Sequence, residues 1–341
     1  MSEPVILLDA GSGGRASQRL IRGLFFKFFS NPILEEMDDA ARLDLSGPLA
    51  MSTDSYTVDP LEFPGGDIGS LAVHGTVNDV AMLGADPAYL SCAFIIEEGF
   101  SVALLEKLAR SMAEAAAGAQ VLIVTGDTKV VPRGAADKLF INTTGIGRIL
   151  VSRPPQGKNA RPGDAILLSG TLGDHGLTVL SSRSKLNLSP RLRSDSAPLN
   201  HMVGALLRGL KEVHVLRDPT RGGLATTLNE IAGQSGVVCV VREDSLPFTP
   251  EVLAGCALIG LDPLYLANEG KLICILPPEE APEALEIMRR FPEGRQAAQI
   301  GVVLAPGEQY KAAPGQVILK TALGGERLLG MLEGEQLPRI C

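Results

Sequence analysis

Short apolar runs alternate with amphipathic stretches along this chain, the pattern of a mixed α/β protein. Val5 to Leu8 is an apolar run that ends at Gly11-Ser12-Gly13-Gly14, with helical spacing from Ala16 to Phe29. Leu49 to Thr53 reads as a strand ending at Asp54, and Ile68 to Leu83 as a helix from the spacing of Ile68, Leu71, Ala72, Val80 and Leu83. Tyr89 to Ile96 is strand-like. Ser101 caps a helix whose apolar positions Leu105, Leu108, Ala109 and Met112 recur at steps of three and four, with Gly118 as its expected stop. Val121 to Thr125 reads as a buried strand that opens into Gly126-Asp127-Thr128-Lys129, and Leu139 to Ile149 as one more strand.

The run S-R-P-P-Q-G-K-N from Ser152 to Asn159 is polar and rich in turn formers, and it reads as a linker. Strands are then expected at Ala165 to Ser169, Val237 to Val241, Lys271 to Leu276, Ile300 to Leu304 and Val317 to Lys320. Helices are expected from Gly222 to Ile231 (closed by Gly233), from Thr249-Pro250-Glu251 onward, and from Pro282 to Phe291. The expected organisation is an N-terminal domain over residues 1–151, a C-terminal α/β domain over 160–330, and a flexible tail over 331–341 that ends in Cys341. Eleven extended residues span at most ~36 Å, a reach that would let Cys341 visit both an active site and a partner.

Length and composition narrow the function. A chain of 341 residues is comfortable for two domains. The net charge of −8 lacks the basic excess of a non-specific nucleic-acid binder. No apolar run is long enough for a membrane span, and the N-terminus has neither the basic region nor the apolar length of a signal peptide, so the expected location is cytoplasmic. The five cysteines form no CxxC pair, and Cys92, Cys239 and Cys274 lie in apolar runs as small hydrophobes would. The histidines 74, 175, 201 and 214 have no metal-binding spacing and read as structural or surface residues. Cys341 is different, because a terminal thiol is rarely core.

Several residues are candidates for chemistry. The turn Gly11-Ser12-Gly13-Gly14 could bring backbone N–H groups to a phosphate, although it lacks the Lys-Ser/Thr of a Walker loop. Asp54, Asp79, Asp127 and Asp218 sit at strand or loop ends or in a helical stretch, and magnesium takes such hard oxygen ligands. Each of these alone is more often a cap or turn residue. Asp79 stands out, because Asn78-Asp79 inside an Ala-rich helix is locally unfavourable. Lys129 and Glu269 lie in loop positions that permit proton transfer.

Taken in order, Asp9 to Gly14, Ser52-Thr53-Asp54, Val77-Asn78-Asp79-Val80-Ala81, Gly126-Asp127-Thr128, Asp218-Pro219-Thr220-Arg221-Gly222-Gly223 and Asn268-Glu269-Gly270-Lys271 resemble the superfamily of aminoimidazole ribonucleotide synthetase, selenophosphate synthetase, thiamine-monophosphate kinase and HypE. The final Pro338-Arg339-Ile340-Cys341 is similar to the HypE hydrogenase-maturation family in particular. The resemblance implies a two-domain α/β (α+β) fold like aminoimidazole ribonucleotide synthetase, a homodimer whose N-terminal domains pair into a β-barrel, and Mg²⁺-ATP in clefts near that interface. It implies nucleotide contacts from Gly11, Ser12, Gly13, Gly14, Thr53, Asn78, Thr128 and Thr220, and metal contacts from Asp54, Asp79, Asp127 and Asp218. It also implies that the carbamoyltransferase HypF loads Cys341, that ATP drives dehydration of the thiocarbamate to a thiocyanate, and that the cyano group passes to the HypC–HypD complex. Glu269 is then the expected proton acceptor and Lys129 the electrostatic stabiliser, with the reverse assignment open. Selenophosphate synthetases carry a Cys or selenocysteine in the glycine region, and Leu7 to Arg15 has none. Two other readings stay open: a nucleotide-switched thiol carrier without catalysis, and a small-molecule phosphotransferase for which Cys341 would be dispensable.

Overall fold

The computed structural model describes residues 4–186, 188–307, 310, 312–334, 337 and 339–341. The expected Pro338 lies outside the described residues.

The N-terminal half begins with a 3₁₀ turn, Leu8–Gly11. Helix α1 (Gly14–Leu20) follows, then a π turn and α2 (Phe26–Phe29). After β1 (Leu49–Tyr56) come the short pair β2 (Glu62–Phe63) and β3 (Gly66–Asp67), then α3 (Ile68–Met82). The half closes with β4 (Ala85–Glu97), α4 (Val102–Ala119), β5 (Leu122–Val131) and β6 (Leu139–Ile149). The strands form a four-stranded sheet in the order β1-β6-β4-β5. Helix α3 is apolar on nearly every side because it is buried on nearly every side, with β1, β6 and β4 on one flank and α4 on another. Among the described residues, helices cover only one face of this sheet, and Met51, Ile95 and Leu122 are exposed on the other.

The C-terminal half contains β7 (Ala165–Leu168), α5 (Asp174–Arg183), α6 (Asn200–Gly209) and β8 (Val215–Arg217). Next are α7 (Gly223–Ser235), β9 (Val238–Arg242), α8 (Pro250–Ile259), β10 (Ile273–Leu276) and α9 (Ala281–Arg289). The strands β11 (Ala298–Leu304), β12 (Val317–Lys320) and β13 (Glu326–Leu328) complete it. The second sheet has seven strands in the order β13-β12-β9-β11-β7-β10-β8. Strands β7 and β10 are apolar and buried throughout, as expected where both faces are covered.

The apolar run Val5 to Leu8 makes one bridge, Val5 to Ser101, and the chain turns at Leu8–Gly11. Three expectations need correction. Gly126-Asp127-Thr128-Lys129 is not a loop, because the long β4 pairs with β5 as far as Val131. Helix α4 runs past Gly118 to Ala119 and is capped by Gln120 in the left-handed region (φ 59°), whose N–H returns to the carbonyls of Ala116 and Ala117, while Asn200 Nδ2 donates to the Ala119 carbonyl (2.8 Å) and His201 Nε2 to that of Gly118 (2.9 Å). Helix α7 ends at Gly236 in the left-handed region rather than at Gly233. Helices α5 and α6 and strands β8 and β13 were not expected from the pattern.

Candidate functional site

Asp54, Asp79, Asp218 and Glu269 converge where the two halves meet. A cleft of about 520 Å³ is lined by Thr53, Asp54, Asp79, Asp218, Thr220, Glu269 and Cys341, and also by Ser55, Tyr56, Arg217 and Arg221. Asp54 comes from β1 and Asp79 from the facing side of α3, where its Oδ2 accepts from Ser52 Oγ at 2.7 Å. Asp218 and Thr220 come from the turn between β8 and α7, and Thr220 Oγ1 donates to Asp218 Oδ2 at 2.7 Å. That turn needs its two glycines. Gly223 has φ +60°, and a Cβ there would stand 2.6 Å from the carbonyl oxygens of both Leu264 and Leu266.

Glu269 is placed by its backbone. Its N–H donates to Asp195 Oδ1 (3.3 Å), the next N–H, of Gly270, donates to Asp195 Oδ2 (3.2 Å), and Asn78 Nδ2 donates to the Glu269 carbonyl (3.2 Å). Asp195 is in turn paired with the buried Lys271 at 3.2 Å. A Cβ at Gly270 would lie 1.8 Å from the Asp195 carbonyl oxygen, so this close approach excludes any larger residue. The Glu269 side chain is 4% exposed and its Oε1 has no hydrogen-bond partner.

The electrostatics are those of crowded acids. Burial pushes Asp79 up to about 6, with Asp54 adding to the rise. Burial likewise raises Asp218 to about 6, with Asp79 contributing. Glu269 is held well above the ordinary carboxylate range by burial first, then by Asp218, Asp195, Asp54 and Asp79. The Cys341 thiol is pushed up to about 12 by burial and by Glu269, against the opposing pull of Arg221. Among the described residues no three acidic, cysteine or histidine side chains converge tightly enough to form a metal cage. Raised carboxylates and an orphaned carboxyl oxygen nevertheless fit a magnesium ion held by one or two protein carboxylates, with the remaining ligands from phosphate and water.

The remaining expected residues lie elsewhere in the chain. Asn78 does not face the cleft. It is 1% exposed, donates to the carbonyls of Ala197 and Glu269, and accepts from the Leu199 N–H at 2.7 Å, so it joins the halves. Asp127 and Lys129 are on β5, exposed and paired with each other at 3.4 Å. Asp127 is in register with Ala93, Asn142 and Ser55, three strands from β1 and thus about 14 Å across the sheet. Thr128 points to the covered side, by Phe25 and Phe29. The turn Gly11-Ser12-Gly13-Gly14 packs against β5, where a Cβ on Gly11 would stand 2.2 Å from the Val130 nitrogen. Glycine turn, Asp127 and Lys129 are therefore neighbours at the free β5 edge, away from the cleft of their own chain. Sequence reasoning missed Asp195, Arg217 and Tyr56; Arg221 sat inside a quoted motif without a role.

Comparison with known proteins gives the family. Residues 37–149 match the family described as AIR synthase related protein, N-terminal domain, and residues 161–311 its C-terminal domain. Carbamoyl dehydratase HypE of Azotobacter vinelandii is 52% identical over 332 residues, covering 97% of this chain and 96% of that protein. A crystal structure of hydrogenase maturation protein HypE in complex with ATP is 66% identical with a TM-score of 0.97, covering 98% of this chain and 99% of the other. A HypE–HypF complex contains a chain 46% identical with a TM-score of 0.80, covering 92% and 99%. The chain belongs to the AIR synthase related family, and within it to the HypE carbamoyl dehydratases.

Proposed function

We propose that this protein uses ATP to dehydrate an S-carbamoyl group on its own Cys341 to a thiocyanate, supplying a cyano ligand for nickel–iron hydrogenase maturation. The observation that carries the reading is that Cys341 and Glu269 open onto one acidic cleft. The carbamoyl oxygen attacks the γ-phosphorus of ATP, one N–H proton leaves, and ADP departs. Loss of the second N–H proton with phosphate then forms the C≡N bond on sulfur. Glu269, buried with one free oxygen, accepts the protons. Arg217, Arg221 and Thr220 line the same cleft and would bind the phosphates. One or two of Asp54, Asp79 and Asp218 would hold Mg²⁺, which would supply charge neutralisation to the transferring phosphoryl group.

Lys129 and Asp127 enter through a homodimer. The uncovered sheet face carries Met51, Ile95 and Leu122, each at least 43% exposed, and its free edges are β1 and β5. A two-fold barrel that seats β1 against the partner's β5 brings Lys129 of the partner subunit beside Thr53 and Ser55, at the mouth of the cleft. HypF is the loading partner, in keeping with the relative solved with it, and the HypC–HypD complex is the acceptor.

Intact-protein mass spectrometry tests the core of this. After incubation with HypF, carbamoyl phosphate and Mg²⁺-ATP, the wild type should gain about 43 Da and then settle near about 25 Da, and Cys341→Ala should gain neither. Cyano transfer by Cys341→Ala, or ATP turnover on a small molecule that ignores this substitution, would overturn the assignment.

A further inference from the structure

The last three residues are held by their main chain, from donors outside the acidic cleft. Thr57 N–H and Oγ1 donate to the Cys341 carbonyl at 3.0 and 3.3 Å. His175 Nε2 lies 2.8 Å from the Ile340 carbonyl. Arg183 Nη2 donates to the Arg339 carbonyl, which also accepts from Asp59 N–H at 3.4 Å. The tail thus lies along residues 57–59 like an added strand, and α5 supplies two side chains that grip it from the other side. Arg339 contributes its own side chain, with Nε donating to the Thr57 carbonyl at 2.8 Å and Nη1 paired with Asp137.

His175 is built for this bond. It is fully buried, its ring meets Phe63 edge-on at 5.4 Å, and Nδ1 lies 2.8 Å from Ser194 Oγ. A carbonyl can only accept, so Nε2 carries the proton and Nδ1 accepts from Ser194. A buried imidazole whose one donor is spent on the tail carbonyl leaves that N–H unpaired when the tail departs, which favours the docked state. Arg183 has a second anchor, since its Nε donates to the Asp59 carbonyl at 2.7 Å.

We propose that His175 and Arg183 are positioning residues that hold the tail by its main chain and so set the Cys341 sulfur in the cleft. Because they bind carbonyls and not the thiol, they grip the tail equally whether the sulfur is free, carbamoylated or cyanated. The same bonds must break for the tail to reach a partner, so weakening them favours loading and hinders dehydration. The docking stands on these contacts alone; its effect on turnover rests on the function proposed above.

Iodoacetamide alkylation of the full chain, followed by intact mass, reads the docking directly. Cys92, Cys239, Cys256 and Cys274 are buried, so Cys341 reports alone in the native protein. Arg183→Met and His175→Asn, which keeps the Ser194 contact but cannot reach Ile340, should each speed alkylation by about 5–10-fold, the effect of one lost hydrogen bond. His175→Gln, whose amide nitrogen falls near the place of Nε2, should return the wild-type rate. With carbamoylated protein, the two faster variants should lose kcat for ATP-driven dehydration by a similar factor at unchanged KM for ATP. Wild-type alkylation rates in folded Arg183→Met and His175→Asn, or a Gln variant as fast as Asn, would overturn the docking. Faster alkylation with unchanged kcat would overturn the positioning role. A wild type that alkylates slowly and never dehydrates would instead overturn the function and leave the docking standing.

Discussion

Glu269 combines two demands that oppose each other. It is buried among Asp218, Asp195, Asp54 and Asp79, which hold it protonated, yet a proton acceptor must be ionised. Its folded-state pKa lies above the unfolded value of about 4.3, so the folded chain keeps its proton where the unfolded chain has lost it. Its contribution to stability is therefore complete below the unfolded value and is lost as pH rises toward the folded one. Glu269→Gln, neutral at every pH, should in metal-free buffer raise Tm relative to wild type at pH 8 and change it little at pH 4. The same variant should lose about 10²–10⁴ in dehydration rate. Equal Tm differences at both pH values would show that Glu269 ionises freely in the fold. At this scale the sequence was informative where a residue broke a local rule: Asp79 in an Ala-rich helix does face the cleft. It was silent on Asp195, whose polar loop of Arg193-Ser194-Asp195-Ser196 looks like any solvated segment until the fold brings it under Glu269.

Elements with a clear period or cap were legible, and those shaped by tertiary contact were not. Helix α4 was found from its cap and spacing, but it ends on a left-handed glutamine, Gln120, and Asn200 and His201, from a helix some 80 residues away, satisfy its last carbonyls, which no local pattern reveals. Helix α5 escaped notice because D-H-G-L-T-V-L-S-S-R has a glycine and several β-branched or hydroxyl residues, poor helix formers; burial of Leu177 and Val179 stabilises it instead. Strand β8 is three residues long, too short to display a period. The start of α7 is where an element and the site are one problem. Gly222 and Gly223 are both left-handed, at φ +75° and +60°, and they turn the chain so that Asp218 and Thr220 face the cleft. Gly223→Ala should destabilise the protein by about 1–3 kcal/mol from backbone strain, and more if Leu264 and Leu266 cannot yield. Urea unfolding gives the first number, and KM for ATP should rise with it as the turn shifts. An alanine variant with wild-type stability would mean that the loop relaxes without moving Leu264.

At the scale of the whole molecule, the alternation of strands and helices was enough to indicate a mixed α/β protein, but it could not say which side of a sheet lies bare. Under the proposed function, what covers that bare side decides where Lys129 would work. Within one chain Lys129 pairs with Asp127 at the β5 edge, with two strands between it and β1. If the partner subunit supplies it, the dimer has two sites, each made from Glu269 of one chain and Lys129 of the other. Lys129→Ala alone and Glu269→Gln alone should then both be inactive. Mixed and reassembled, they form heterodimers in which one site carries two defects and the other none. With random pairing half of the dimers are mixed, and half of their sites are intact, so about a quarter of wild-type activity should return. If Lys129 acted within its own chain, every site in the mixture would carry one defect and nothing would return. Size-exclusion chromatography with light scattering on each variant, before mixing, separates failure to dimerise from failure to complement. Recovery of activity would place the catalytic unit in the pair of chains, its absence in a well-formed mixed dimer would keep Lys129 in the site of its own chain, and an active Lys129→Ala homodimer would remove Lys129 from the cleft altogether.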